Sequence, residues 1–144
     1  MKKRNLPAGK AGKIIYWIAT IWLSLGMLST GVVQLFKLKG DGPGSLDSMT
    51  RLGYPVYFVT LLGICKILGV VVLLVPKFPL LKEWAYAGFF FMMSGAIFTH
   101  IAAGNSVSET FPSLLLLILT VVSWYYRPSD RKIVSLNRLN NSIA

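Results

Sequence analysis

One cysteine, one histidine and five carboxylates are all that this chain offers to chemistry that needs those groups. The lone Cys65 excludes an intramolecular disulfide and a CxxC redox pair. One His, one Cys and scattered carboxylates match no metal-ligand spacing. Neither a glycine-rich phosphate loop nor a Ser-His-Asp set is present. Charge is sparse: charged residues make up 14%, against about a quarter in a soluble domain. The net charge of +10 would suit nucleic acid only if basic residues shared a solvated face with reading side chains. They sit instead between and outside apolar runs, which is the placement of membrane flanks. Nucleic acid is excluded as a partner on that ground.

Apolar residues are abundant, at 54% of 144, and mean hydropathy is +0.62. They gather into four runs, each near the roughly 20 residues that cross a bilayer core of about 30 Å at about 1.5 Å per residue. The reading is an all-α integral membrane protein. A basic N-tail over 1–13 precedes spans at about 14–36, 54–75, 83–103 and 111–126, and a polar C-tail covers 127–144. The first run is longer than a signal peptide's apolar region of about 7–15 residues and ends in no small-residue cleavage site. It reads as a span. Lys37 to Gly53 is the longest connection, with Leu46 to Leu52 as a short interfacial helix, and Pro76-Lys77-Phe78-Pro79 makes a tight turn. Pro112 falls in the first turn of the fourth span.

Lys and Arg set the orientation. Lys2, Lys3, Arg4, Lys10, Lys13, Lys77, Lys82, Arg127, Arg131, Lys132 and Arg138 lie on one side, and Lys37, Lys39 and Arg51 on the other. The positive-inside rule puts both termini in the cytoplasm. Short connections force an antiparallel four-helix bundle. Small residues mark close approaches: Gly26, Thr30 and Gln34 share a face of the first span, and Gly63, Lys66 and Gly69 recur on the second. Ala85, Gly88, Met92, Gly95 and Thr99 do so on the third. The fourth span is expected to have the most lipid contact, with Thr120 and Ser123 facing inward.

Polar groups inside the hydrocarbon carry the functional reading, because a central lysine costs about 2.5–3.5 kcal/mol to insert. Lys66 is such a lysine. It either lines a polar cavity or snorkels out of a packed site, and the cost favours the cavity. His100 reads first as an imidazole bridging helices, with Gln34 at similar depth as its partner, and second as a proton carrier. Thr99 adjoins it and joins Lys66, His100 and Gln34 as the candidate ligand pocket. Glu83 opens the third span, where a carboxylate meets the helix dipole and is expected to pair with Lys82 or Lys77. Lys82, Glu83 and Trp84 form a charged, aromatic border with a structural role.

Four strings make the reading more specific: Gly53-Tyr54-Pro55-Val56-Tyr57-Phe58; Lys66-Ile67-Leu68-Gly69-Val70; Pro79 to Phe89 with its Lys82-Glu83-Trp84-Ala85-Tyr86-Ala87-Gly88 core; and Ser94-Gly95-Ala96 leading to Thr99-His100. Over roughly Ile14 to Pro128 the chain resembles the DoxX-like family of small bacterial four-helix membrane proteins. The resemblance implies a multi-pass protein of the bacterial inner membrane, with Lys66, Glu83 and His100 at the family's polar positions. Related sequences often carry Lys at the place of Gln34 and Asp at that of Asn105. The family name derives from a subunit linked to thiosulfate–quinone oxidoreduction, and quinone-reducing bundles of this shape need a cysteine pair that this chain lacks.

Two functions follow as expectations. The first is a non-enzymatic membrane subunit, or a protein binding a lipid, quinone or other amphiphile in a polar pocket. The alternative is a quinone-linked oxidoreductase component that lacks its own redox centre, with Lys66 or His100 moving protons. A transporter, which would need a homo-oligomer to enclose a path, is the weakest. No cofactor of its own is expected, a quinone being the one the bundle would admit, and its partners are the bilayer and a further copy or a redox subunit.

Overall fold

A computed structural model describes residues 9–128 and 131–133. It contains α1 (Lys10–Leu35), α2 (Leu46–Arg51), α3 (Val56–Leu74), α4 (Pro79–Ala102) and α5 (Val107–Tyr125), and no strand among the described residues. All but α2 are long and apolar enough to cross a membrane. Helix is the form these runs must take in hydrocarbon, since it satisfies every backbone N–H and C=O within the segment. Their exposed faces are rows of large apolar side chains, such as Ile14, Ile18, Ile21 and Leu25 on α1, as a surface facing hydrocarbon requires.

The four long helices form a ring. α1 packs on α3 and α5, while α4 packs on α5 and, along the thinnest of the four seams, on α3. The core between them holds Leu23, Met27, Val70, Leu73, Tyr86, Phe89 and Met93. Two glycines set the α1–α3 distance. A Cβ on Gly63 would stand 2.8 Å from both the Gly31 carbonyl oxygen and the Leu35 nitrogen, so the backbones touch there. On the α3–α4 seam, Gly69 makes room for the ring of Phe89.

The third span, α4, departs from its expected packing. Gly88 and Gly95 have no neighbouring group within 4 Å of an added Cβ, and the buried residues of α4 are Lys82, Tyr86, Phe89 and Met93. Large side chains fill this seam, with Ala85 and Met92 packed against them, while Gly88 meets no other helix and Gly95 borders open space. On α5 only Thr120 and Ser123 are buried. α5 begins at Val107, earlier than its apolar run, because the polar 107–110 segment is itself helical. Pro112 therefore sits inside α5 and, lacking an N–H, leaves the Ser108 carbonyl without its helical donor.

Helix ends are closed by local chemistry. After α1, Lys37 adopts a left-handed φ of 53°, and its N–H reaches Gln34 O while that of Leu38 reaches Val33 O. This Schellman arrangement recurs with Gly53 after α2 and Gly104 after α4. The exposed carbonyls at the end of α3 are capped differently. Lys82, 1% exposed, donates its Nζ to Val72 O at 2.5 Å and also to Val75 O. Arg131 Nη1 donates to Leu73 O at 2.9 Å. Cations at a helix C-terminus meet both the orphan carbonyls and the negative end of the dipole.

Arg131 and Arg127 thus belong to the bundle, although composition placed them in a free C-tail. Arg127 is 4% exposed, lies over the Tyr86 ring at 5.1 Å and donates to Glu83 Oε1 at 2.5 Å. Trp124 Nε1 donates to the other oxygen of Glu83 at 3.0 Å. The expected pairing of Glu83 with Lys82 or Lys77 is corrected: Lys82 points to α3, and the end of α5 supplies the cation. Inward from this border Tyr86, Ser123 and Thr20 form one hydroxyl chain, with 2.7 Å on each side of Ser123. Trp84, 66% exposed, faces outward at the same end.

Candidate functional site

At the other end, the bundle opens into a cavity of about 610 Å³, inside the range of roughly 300–1,000 Å³ typical of ligand sites. The connection between α1 and α3 forms its lid. Ser45 caps α2 by accepting from Ser48 N at 3.3 Å and its hydroxyl also donates to Gly40 O. Asp47 accepts from Gly40 N at 2.9 Å, and Arg51 pairs with Asp41 at 3.2 Å. These local bonds fold residues 40–51 on themselves and bury Met49 against the opening. The apolar walls come from Phe58 and Leu62 of α3, Phe91, Met92 and Met93 of α4, and Leu116 of α5. Methionine walls adapt to irregular ligands.

Polar groups converge on the floor. Lys66 lies about 15 Å along α3 from Val56, is 5% exposed and lines the cavity. Its Nζ donates to Thr30 Oγ1 at 3.2 Å. An ammonium has three donors, and the ion pairs among the described residues, Arg51–Asp41 and Arg127–Glu83, leave Lys66 without a carboxylate. Gln34 also lines the cavity beneath Gly44, is 1% exposed, and its Oε1 is enclosed without a hydrogen-bond partner. A buried acceptor left unmade costs about 1–3 kcal/mol. The floor is a lysine and an amide with unused bonding capacity, one turn of α1 apart through Thr30.

His100 lines the same cavity nearer its mouth. Its partner is Asn105, whose Nδ2 lies 2.9 Å from Nδ1, and not Gln34 as expected. The turn after α4 explains this: Asn105 N donates to the His100 carbonyl at 3.0 Å, which brings the two side chains together. Thr99 is absent from the cavity wall. Its hydroxyl donates to Gly95 O at 2.9 Å and bonds Tyr54 Oη at 2.7 Å, tying the start of α3 to the end of α4 beside the opening. Of the four expected pocket residues, Lys66, Gln34 and His100 share one cavity and Thr99 fastens its rim.

Thr30, Asn105 and the whole lid were not foreseen as parts of the site. Thr30 had a signal, since it stands one turn from Gln34 on the face read as an α1 contact. Asn105 and the lid lay in polar loops, where spacing gives no direction.

No curated protein and no solved structure matches the chain. The sequence model of the DoxX-like family matches residues 18–123, from within α1 to the last turn of α5. With that match over all four spans, the chain is a multi-pass membrane protein and belongs to the DoxX-like family.

Proposed function

We propose that this protein binds a membrane-soluble amphiphile, with the ligand's polar head on Lys66 and Gln34 and its apolar part against the methionine and phenylalanine walls. The observation that carries this reading is the buried Lys66 on the wall of a ligand-sized cavity, which has one neutral hydrogen-bond partner and no ion pair to Asp41 or Glu109, the two carboxylates that line the same cavity. A buried charge is stabilised only when paired and hydrogen-bonded. An acidic or carbonyl head supplies what the protein leaves out, and a hydroxyl on that head meets Gln34 Oε1. The excess of Lys and Arg at the other end supports an orientation with both termini cytoplasmic and this cavity on the outer side of a bacterial inner membrane. The protein works there as a non-enzymatic binding protein or membrane subunit, and a second copy or a partner subunit would dock on its lipid-facing helices.

The test is stabilisation by ligand. In neutral-lipid nanodiscs, decanoate at 100 times its Kd raises stability by about 2.7 kcal/mol, and Lys66→Met abolishes the rise. Equal stabilisation of both proteins, or none of either, contradicts the reading. A second reading makes the ligand a quinone, reduced with two electrons from a partner subunit and two protons. His100 and Lys66 on one cavity favour it. Quinone-dependent oxidation of a copurifying reduced flavoprotein, lost in His100→Leu, is its test.

A further inference from the structure

A second cavity, of about 290 Å³, lies on the α4–α5 seam toward the tail end of the bundle. It is a groove walled by Ala87 and Phe90 of α4 and by Val121 of α5. Its polar atoms are already engaged. Thr120 Oγ1 donates to Leu116 O at 2.7 Å, and the Trp124–Glu83 bond closes its tail end. The polar cavity, walled by α1, α3, α4 and α5, lies toward the other end of α4, and Phe91 lines both. Phe91 is 72% exposed and has no place in the core. From Glu83 to His100 the two spaces extend about 25 Å along α4, most of a bilayer's hydrocarbon depth. Phe91 is the residue common to both walls.

We propose that the cavity and the groove are the head and tail subsites of a single site for a one-chain amphiphile with an anionic head, which enters sideways from the bilayer past Phe91. This rests on the binding reading above and names its ligand class. Charge complementarity to Lys66 selects the head. The groove, apolar along its length and shut at Trp124, takes one hydrocarbon chain. A ligand already in the membrane needs no passage through water, and Phe91, exposed to lipid, is the side chain that must swing aside. A chain moving from lipid into this groove exchanges one apolar environment for another, so the head on Lys66 supplies the preference for the site.

The experiment is photolabelling in phosphatidylcholine nanodiscs with palmitate bearing a diazirine at its methyl end, mapped by mass spectrometry. The expected result is label at Phe90, Val121 or Trp124, displaced by unlabelled palmitate and lost in Lys66→Met, whose charge lies in the other cavity. Phe91→Trp, which enlarges the partition, is expected to lose the groove label while butanoate still stabilises the protein. Groove label undiminished in Lys66→Met would make the groove an ordinary lipid contact and overturn the proposal. Dipalmitoyl phosphatidic acid displacing label better than palmitate, at equal mole fraction, would overturn the one-chain assignment. Lys66-dependent stabilisation by butanoate with no groove label would remove the tail subsite and leave the binding reading standing; absence of both removes the two together.

Discussion

Lys66 and Lys82 are both almost wholly enclosed, yet only Lys82 has its donors satisfied. Lys82 Nζ meets the carbonyls at the end of α3, whereas Lys66 Nζ meets the Thr30 hydroxyl alone. One lysine holds the fold together and the other waits for a partner. Hydrogen bonds to charged groups contribute about 1.5–3 kcal/mol each. Lys82→Met is therefore expected to lower unfolding free energy by about 2 kcal/mol, while Lys66→Met leaves it unchanged or raises it. Equilibrium unfolding of the two variants in mild detergent checks this. The reverse ranking would contradict it.

The glycines divide in the same way. Gly63→Ala drives a methyl into Gly31 O and Leu35 N at 2.8 Å, both backbone atoms that cannot rotate aside. A loss of about 1–3 kcal/mol is expected from overpacking. Gly88→Ala meets nothing within 4 Å and is expected to be neutral or to stabilise by up to about 1 kcal/mol through helix propensity. Thermal unfolding of both variants side by side measures the contrast. Destabilisation by Gly88→Ala would show that a second chain covers that face.

That contrast marks where the sequence was legible. The four spans could be read because hydrocarbon allows only helix over such runs. Lys66 and Gln34 stood out because a polar group at that depth is costly. Gly88 and Gly95 misled because glycine spacing shows a face without showing what it faces. Glu83 has its partner 44 positions away, and no local spacing announces such a pair. Arg127 and Arg131 read as tail residues because spacing does not show that their guanidinium groups lie over the rings of Tyr86 and Trp17. A polar cavity at Lys66 was expected from the cost of its burial, but its lid was out of reach, since polar loop residues do not show how they fold over the mouth.

Ser123 joins Tyr86 to Thr20, so it acts as the hub of a hydroxyl chain. Intramembrane hydrogen bonds measure about 0.6 kcal/mol on average. Ser123→Ala breaks two and leaves two buried hydroxyls, and is expected to cost about 1–2 kcal/mol. Tyr86→Phe breaks one and is expected to cost about half as much. In a double-mutant cycle the two losses fall short of adding, because both remove the same bond. Strict additivity would show that the chain is not connected.

The Glu83–Arg127 pair fastens α4 to the residues after α5. Removing one partner of a buried pair costs about 3–5 kcal/mol, and Glu83 is about a third exposed, so Glu83→Gln is expected to cost about 1–2 kcal/mol. Proteolysis of the C-terminal segment should accelerate in this variant and in Arg127→Gln. An unchanged cleavage rate would mean that the segment is held by other contacts.

The most direct test of the bound-amphiphile account is native mass spectrometry of the protein released gently from its own membrane, beside a Lys66→Met, His100→Leu double variant. The account predicts an added mass on the wild type, carried by an acidic or carbonyl-bearing amphiphile and absent from the variant. A wild type that flies bare, with the variant equally stable or more so, would contradict the account and leave Lys66 and His100 as contacts between helices.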